Sequence, residues 1–145
     1  PSLDTVRVLG GRRVSTRLDD FESRRLRGEA TASISEDEIQ KRNPVTISQM
    51  LRGIPSVQVR DSAGVAKVMS NRGLKVTPNL KLEACWMRVM VDGVVLPLET
   101  NIDQITPAVV HGIEVFAGPA AIPPKLGALG NGSWCGLVAI WTRER

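Results

Sequence analysis

The spacing of the apolar residues changes after Ile54, and this change limits the chain to folds that combine short helices with short strands. Between residues 47 and 54, apolar side chains recur at i, i+3, i+4 and i+7, which is the pattern of one face of an α-helix. From Val57 onward they alternate with polar residues, as in a half-buried strand. The chain is therefore predicted to be an α+β domain with a small mixed β-sheet and short interspersed helices.

Two helix starts are marked by a hydroxyl residue that stands three positions before Glu or Gln, at 35–38 and 46–49. In such a capping box, the hydroxyl accepts a backbone N–H of the first helical turn. Asn43-Pro44 predicts the end of the first helix near Arg42, because the residue before a proline is pushed out of the helical region. Gly53 is expected to end the second helix in the left-handed conformation.

Turn-forming residues separate the strand-like segments. Asp92-Gly93 lies between two apolar runs and is typical of a type I′ hairpin, because both residues tolerate positive φ. A second turn is predicted at Asp61–Gly64. Thr106-Pro107 predicts the start of one helical turn before a strand at Ile113–Phe116. A final strand is predicted at Cys135–Thr142.

The scarcity of histidine and aromatic residues excludes several classes of function. His111 is the one histidine among 145 residues, which excludes multi-histidine metal sites and leaves an enzyme with a single plausible base. Two phenylalanines, three tryptophans and no tyrosine argue against base stacking, and hence against nucleic acid. The glycine-rich run Gly127–Gly132 precedes a strand and lacks the lysine of a phosphate-binding loop. We therefore predict no catalytic residue, no metal site and no cofactor.

The positive charge of the chain is concentrated near its start. Residues 7–27 carry seven arginines against three acidic residues, a net charge of +4 that equals that of the whole chain. We expect residues 1–30 to form an extended basic arm that binds acidic partners or an anionic surface, ahead of a globular domain at 31–145. A solvated linker is the alternative. The arginines assigned to partner binding are Arg7, Arg12, Arg13, Arg17, Arg24, Arg25 and Arg27.

The two cysteines, Cys85 and Cys135, are too far apart in sequence for a CxxC redox or zinc motif. Residue types alone leave three interpretations open: buried thiols, a disulfide, or a nucleophile that would need His111 as its base. The choice depends on the cellular compartment, because disulfides persist in oxidising environments.

Six segments, in order along residues 34–143, resemble the plug domain of TonB-dependent outer-membrane receptors. The segments are 34–39, 46–59, 71–73, 91–94, 111–119 and 136–143. Among them, the stretch LRGIPSVQV at 51–59 resembles the family's "LLr-iPGV-V" segment, and VDGV at 91–94 resembles its "vDGv" hairpin. The positions that match the family's motif residues are Arg72, Gly73, Asp92, Gly93 and Glu114.

The resemblance implies roles for several residues. A plug lies inside a β-barrel, so Arg72 and Glu114 are expected to contact the barrel wall. The segment Asp4-Thr5-Val6-Arg7-Val8 resembles a TonB box, the extended segment that receptors offer to the energy-transducing protein. An ordinary first strand or a linker is the alternative for this segment. Because the family works in the oxidising periplasm, a disulfide between Cys85 and Cys135 becomes the leading interpretation.

No barrel strands accompany the plug-like segments, and we therefore expect a free-standing domain. The hypothesis is a non-enzymatic periplasmic subunit that docks on a larger membrane protein assembly through protein partners, without a transmembrane segment of its own. The alternative is the plug of a TonB-dependent outer-membrane transporter, which gates a barrel and contacts the energy transducer. Both interpretations imply the periplasm of a Gram-negative-type envelope.

Overall fold

The structure is a computed structural model and describes residues 16–76, 78–127 and 135–144. At its centre lies a five-stranded sheet. One face of this sheet is covered by a twelve-residue helix, and the other face by two short helices and a separate three-stranded sheet. The α+β architecture predicted from the sequence is confirmed.

The described residues form short elements separated by turns. The α-helices are α1 (Thr16–Arg27), α2 (Glu36–Arg42), α3 (Ile47–Leu51) and α4 (Pro124–Gly127), and 3₁₀ turns cover Ile102–Gln104, Pro107–Val109 and Pro119–Ala121. The five-stranded sheet contains β1 (Ala32–Ile34), β5 (Arg88–Val91), β6 (Val94–Val95), β7 (Val110–Phe116) and β8 (Leu137–Thr142). The three-stranded sheet contains β2 (Val57–Ser62), β3 (Val65–Val76) and β4 (Leu82–Trp86).

The five-stranded sheet is mixed. Its strand order is β1-β7-β8-β5-β6, and only β5 and β8 run parallel among these described neighbours. Strand β8 comes last in the chain yet inserts between β7 and β5, so the sheet is complete only when the end of the chain has joined it. The smaller sheet has the antiparallel order β2-β3-β4, with a shift of register between Met69 and Leu74.

The predicted caps and turns form because they depend on neighbouring residues alone. Ser35 accepts a hydrogen bond from the backbone N–H of Glu38, and the Glu38 side chain accepts one from the backbone N–H of Ser35. Asn43 ends α2 in the left-handed region with φ 46°. Asp92 and Gly93 have φ values of 51° and 89°, as a type I′ hairpin requires.

The prediction of a left-handed Gly53 is wrong. Helix α3 ends at Leu51, and Arg52 at its C-cap is right-handed with φ −62°. The backbone N–H of Gly53 donates to the Met50 carbonyl, and that of Ile54 donates to the Leu51 carbonyl. These i to i−3 bonds tighten the last turn and satisfy its carbonyls without a left-handed residue.

Both faces of the central sheet are buried, and the alternation along β8 shows how. Val138 and Ile140 pack with helices α2 and α3 and with the smaller sheet. Leu137, Ala139 and Trp141 point to the opposite face and pack with helix α1. A strand with two buried faces needs an almost continuous apolar sequence, which is what β8 has.

Residues 16–27 form helix α1, so the predicted extended arm of residues 1–30 is wrong for this part. Leu18 and Phe21 are buried against the sheet. Gly112 makes room for the Phe21 ring, because a Cβ at position 112 would overlap it. Residues 1–15 lie outside the described residues, and they include Asp4, Thr5, Val6, Arg7, Val8, Arg12 and Arg13.

Candidate functional site

A buried ion pair joins helix α1 to the central sheet. Arg24 Nε donates to Glu114 Oε2 at 2.8 Å, and Arg24 Nη2 donates to Glu114 Oε1 at 2.9 Å. Trp141 Nε1 also donates to Glu114 Oε1, at 2.9 Å. The guanidinium carbon of Arg24 lies 5.5 Å from the centre of the Trp141 ring, within the range of a cation–π contact. These three side chains come from α1, β7 and β8 and form one connected unit.

The ion pair is closed to solvent and satisfies itself. Glu114 is 0% exposed and Arg24 is 5% exposed. Taking two charges out of water is costly, and the bidentate geometry with the added indole donor compensates for that cost. Arg24 is therefore not available to an external partner, and Glu114 does not face outward toward a barrel wall. Both of these predicted roles are wrong, because strand β7 turns Glu114 toward α1.

Asp92 ties the start of helix α1 to the end of strand β8. Its Oδ1 accepts a hydrogen bond from the Thr142 backbone N–H at 2.9 Å, and its Oδ2 accepts one from the Thr142 hydroxyl. Arg17 lies 3.4 Å from Asp92 and 3.5 Å from Glu144, and it donates to the Thr142 carbonyl at 3.3 Å. Together with the positive φ of Gly93, this gives the predicted motif residues Asp92 and Gly93 a structural function at the β5–β6 turn.

His111 bridges two helices. Its Nε2 lies 2.8 Å from Glu22 Oε2 on α1, and its Nδ1 lies 2.9 Å from Glu36 Oε1 on α2. Each carboxylate also has an arginine partner: Arg25 lies 2.7 Å from Glu22, and Arg143 lies 3.3 Å from Glu36. His111 thus has a structural position in a network of charges.

The pKa of the Glu22 carboxyl lies below its ordinary value. Burial raises this pKa, but the hydrogen bonds and charges of Arg25 and His111 more than offset that effect. Because the folded pKa is the lower one, Glu22 stabilises the fold fully above the pKa of an unfolded glutamate, about 4.3. This stabilisation is lost as pH falls through the folded pKa.

Glu22→Gln is therefore expected to lower the free energy of unfolding at pH 6 by up to about 1 kcal/mol, and to lower it by less at pH 3, because the contribution of this carboxylate decreases as pH falls. Urea unfolding at the two pH values measures this difference. Glu99→Gln is the matched control, because Glu99 is 82% exposed and pairs only weakly with Lys67 at 3.4 Å. An equal loss for Glu22→Gln at both pH values would contradict the charge assignment.

The other predicted contact residues are distributed over the surface and the smaller sheet. Arg27 pairs with Glu29 and Arg25 with Glu22, and both arginines remain partly exposed. Arg72 and Gly73 belong to β3, and the Arg72 side chain lies outside the part of the chain that the structure describes. Among the described residues, the predicted partner-binding and motif residues meet as two separate pairs, Arg17 with Asp92 and Arg24 with Glu114, and not as one exposed site.

The disulfide between Cys85 and Cys135 is present, as the resemblance implied. The two Cα atoms lie 5.6 Å apart, and 50 positions separate the cysteines in sequence. Cys85 belongs to β4 of the smaller sheet, and Cys135 stands just before β8 of the central sheet. The bond therefore fastens the two sheets to each other, in addition to the packing of β3 on the core through Val68.

The most connected polar residues, Glu22, Glu36 and His111, were not predicted from the sequence as a group. Glu22 and His111 are 89 positions apart, and Glu36 and His111 are 75 positions apart. The register of β1 with β7 explains one of these contacts. Ile34 pairs with Ile113, so continuing this antiparallel register places residue 36 opposite residue 111. That register is known only from the folded sheet.

The surface of the described residues carries two open clefts, and the side chains that could bind a metal ion are dispersed. Within ranges 16–76, 78–127 and 135–144, no three His, Cys, Asp or Glu side chains are grouped so that they could hold a metal ion. No helix among these residues is long and apolar enough to cross a bilayer. Two open clefts are present, one of about 520 Å³ between α1 and Pro123–Lys125, and one of about 280 Å³ between α2 and Thr106–Ala108.

Comparison with solved structures finds a similar fold within siderophore receptors. The ferric enterobactin receptor PfeA aligns with a TM-score of 0.54 and 22% identity over 78% of this chain and 17% of the receptor. A PfeA mutant from Pseudomonas aeruginosa aligns with a TM-score of 0.54 and 19% identity over 90% of this chain. The siderophore receptor PirA from Acinetobacter baumannii aligns with a TM-score of 0.56 and 18% identity, over 90% of this chain and 19% of PirA.

These identities are low, so the structural likeness by itself shows the fold. The chain spans less than a fifth of the length of each receptor. The comparison with curated proteins finds no match. The sequence pattern of the family described as "TonB-dependent Receptor Plug Domain" matches residues 23–130, from the middle of α1 to beyond α4. The chain therefore belongs to the family of TonB-dependent receptor plug domains.

Proposed function

We propose that this plug domain closes the lumen of an outer-membrane receptor barrel in a Gram-negative-type envelope, and that it serves transport rather than catalysis. The observation that carries the proposal is the family match over residues 23–130, which covers strands of both sheets, helices α2 and α3 and the last residues of α1. The structural likeness to siderophore receptors supports it at the level of the fold. In this function the domain acts by occupying space and by contacting other protein surfaces.

The packing of the described residues suits a domain that fills a lumen. The central sheet is buried on both faces by the chain's own helices, so it does not need a barrel wall to cover its core. Two buried charged side chains, Arg24 and Glu114, form an ion pair and neutralise each other. Such a body keeps its shape while its outer surface is free to contact a wall.

We further propose that the segment Asp4–Val8 contacts the energy transducer by strand pairing. This segment is β-prone and precedes α1, whose first turn is tied through Arg17 to Asp92 and to the end of β8. A load on the segment would therefore reach the β5–β6 turn and the last strand of the central sheet. We propose that any further partners of the plug domain are also proteins of the cell envelope.

The location of the chain in producing cells tests the proposal. An antibody against the chain is expected to detect it in the outer-membrane fraction, and the signal is expected to remain after an alkaline wash that removes peripheral proteins.

A photoreactive residue at Leu3 is expected to crosslink to the transducer, and Val6→Pro is expected to abolish this crosslink, because proline removes a backbone donor from the pairing strand. Ser2→Pro, outside the segment, is the matched control.

A docking subunit without a barrel of its own is the second candidate, and the disulfide favours it. A bond that fastens the two sheets stabilises a domain that stands alone, whereas a surrounding wall would hold a plug together from outside. Release of the chain by the alkaline wash, together with a stoichiometric larger partner in native mass spectrometry, would support this candidate and contradict the first.

A further inference from the structure

His111 lies between two carboxylates that come from different helices. Nε2 faces Glu22 of α1 at 2.8 Å, and Nδ1 faces Glu36 of α2 at 2.9 Å. The side chain of His111 is only 19% exposed, and the Phe21 ring packs edge-on against the imidazole with ring centres 5.6 Å apart. The imidazole is therefore held in one orientation, in which both of its nitrogens meet oxygen.

An ionised carboxylate can only accept hydrogen bonds, so each of these contacts requires a proton on the nitrogen. An imidazolium ion carries both protons and makes both hydrogen bonds. A neutral imidazole carries one proton, so its other nitrogen would present a lone pair to a carboxylate oxygen at hydrogen-bond distance. Two acceptors repel each other at that distance, and one of the two contacts must open.

The groups around His111 give each of the two carboxylates a further partner. From α1, Arg25 lies 2.7 Å from Glu22. From the segment after β8, Arg143 lies 3.3 Å from Glu36 and also donates to the Val110 carbonyl. From α2, Gln40 donates to Glu36 at 3.2 Å. Each acid therefore keeps a partner of its own when its contact with His111 opens.

The bridge lies where the central sheet has no strand to connect the two helices. Strand β1 ends at Ile34, which pairs with Ile113 of β7. His111 lies two residues before Ile113, in the part of β7 that extends beyond the end of β1. Beyond that point, α1 on one face and α2 on the other are joined by the His111 side chain. The bridge thus connects two layers of the domain at their open edge.

We propose that His111 is a proton-operated clamp, which holds α1 and α2 together across the edge of the central sheet when it is an imidazolium ion and releases one of them when it is neutral. Histidine is the side chain whose charge changes between about pH 5 and 8, and this chain has a single histidine. Both cysteines are in the disulfide and do not titrate. The clamp is a property of the fold and holds whether or not the domain sits in a barrel.

Amide hydrogen exchange on the full chain at pH 5.5 and pH 8.5, expressed as protection factors, tests the clamp. Protection in α1 or α2 is expected to fall about fivefold or more at the higher pH, as the loss of one such contact implies. Protection in β8, at the centre of the sheet, is expected to stay the same. The ¹⁵N shifts of the His111 ring are expected to show two protonated nitrogens at pH 5.5.

His111→Gln provides the comparison that isolates the proton. Glutamine keeps one donor group and does not titrate, so the helix that the wild type releases at pH 8.5 is expected to show the same low protection at both pH values. The clamp is overturned if wild-type protection in α1 and α2 is unchanged between the two pH values. It is also overturned if His111→Gln shows the same fall as the wild type, because the fall would then come from another group. If the variant does not fold, the amide hydrogen exchange of the wild type and the ¹⁵N shifts of its His111 ring still test the clamp.

Discussion

Replacing Arg24 with methionine is expected to lower the free energy of unfolding by about 3–5 kcal/mol, because it leaves the charge of Glu114 buried and unpaired. Glu114 is 0% exposed, and among its partners the guanidinium of Arg24 supplies the opposite charge. Methionine keeps an apolar stem of similar length over the Trp141 ring, so the loss reports the charge more than the packing. Urea unfolding at neutral pH measures the change.

Arg27→Met is the matched control on the same helix. Arg27 is 62% exposed and pairs with Glu29, so its replacement is expected to cost less than about 1 kcal/mol. The double variant with Arg24→Met and Glu114→Gln removes the buried charge and is expected to recover part of the loss. Equal losses for Arg24→Met and Arg27→Met would show that the pair does not hold α1 to the sheet.

Replacing Cys85 and Cys135 together with serine is expected to lower the free energy of unfolding by about 4 kcal/mol, a value at the upper end for a loop of this length. The bond closes a loop between cysteines 50 positions apart, and without it the unfolded chain gains the entropy of that loop. The loop contains β5, β6 and β7, so the same bond limits how far the smaller sheet can separate from the central one.

Reduction of the wild-type protein separates the disulfide from the effect of the serines. A reductant is expected to move the urea midpoint of the wild type to that of the double serine variant and to leave the variant unchanged. A wild-type midpoint that does not respond to reductant, in a protein shown to have lost the bond, would contradict the stabilisation.

The elements that could be predicted from the sequence depend on residues close to each other along the chain. The capping box at Ser35–Glu38, the stop at Asn43 and the hairpin at Asp92-Gly93 all form as expected. Each depends on hydrogen bonds or backbone angles within four residues. The Gly53 prediction fails because it considers only the local sequence. Ile54 and Val57, which follow Gly53, are buried in the core, and the chain leaves α3 without a left-handed turn.

Helix α1 was interpreted as part of a basic arm because its sequence is dominated by charge. Its inward face carries Leu18, Phe21 and Arg24, so a charged residue occupies a position that a pattern search expects to be apolar. Arg24 can be buried because it pairs with Glu114 of the central sheet, which lies 90 positions away in sequence. The sequence contains both residues, but nothing local connects them.

The sequence by itself determined the mixture of helices and strands, the start and end of α2, the hairpin at Asp92-Gly93 and the family, because these follow from local propensity and from short motifs in a given order. The tertiary structure alone decided which charges pair. Arg24 meets Glu114, and His111 meets Glu22 and Glu36, only once β8 has inserted between β7 and β5 and the register of β1 with β7 is set. Contacts across 75 to 90 positions depend on the register of strands and the packing of helices, and the physical chemistry of neighbouring residues does not contain them.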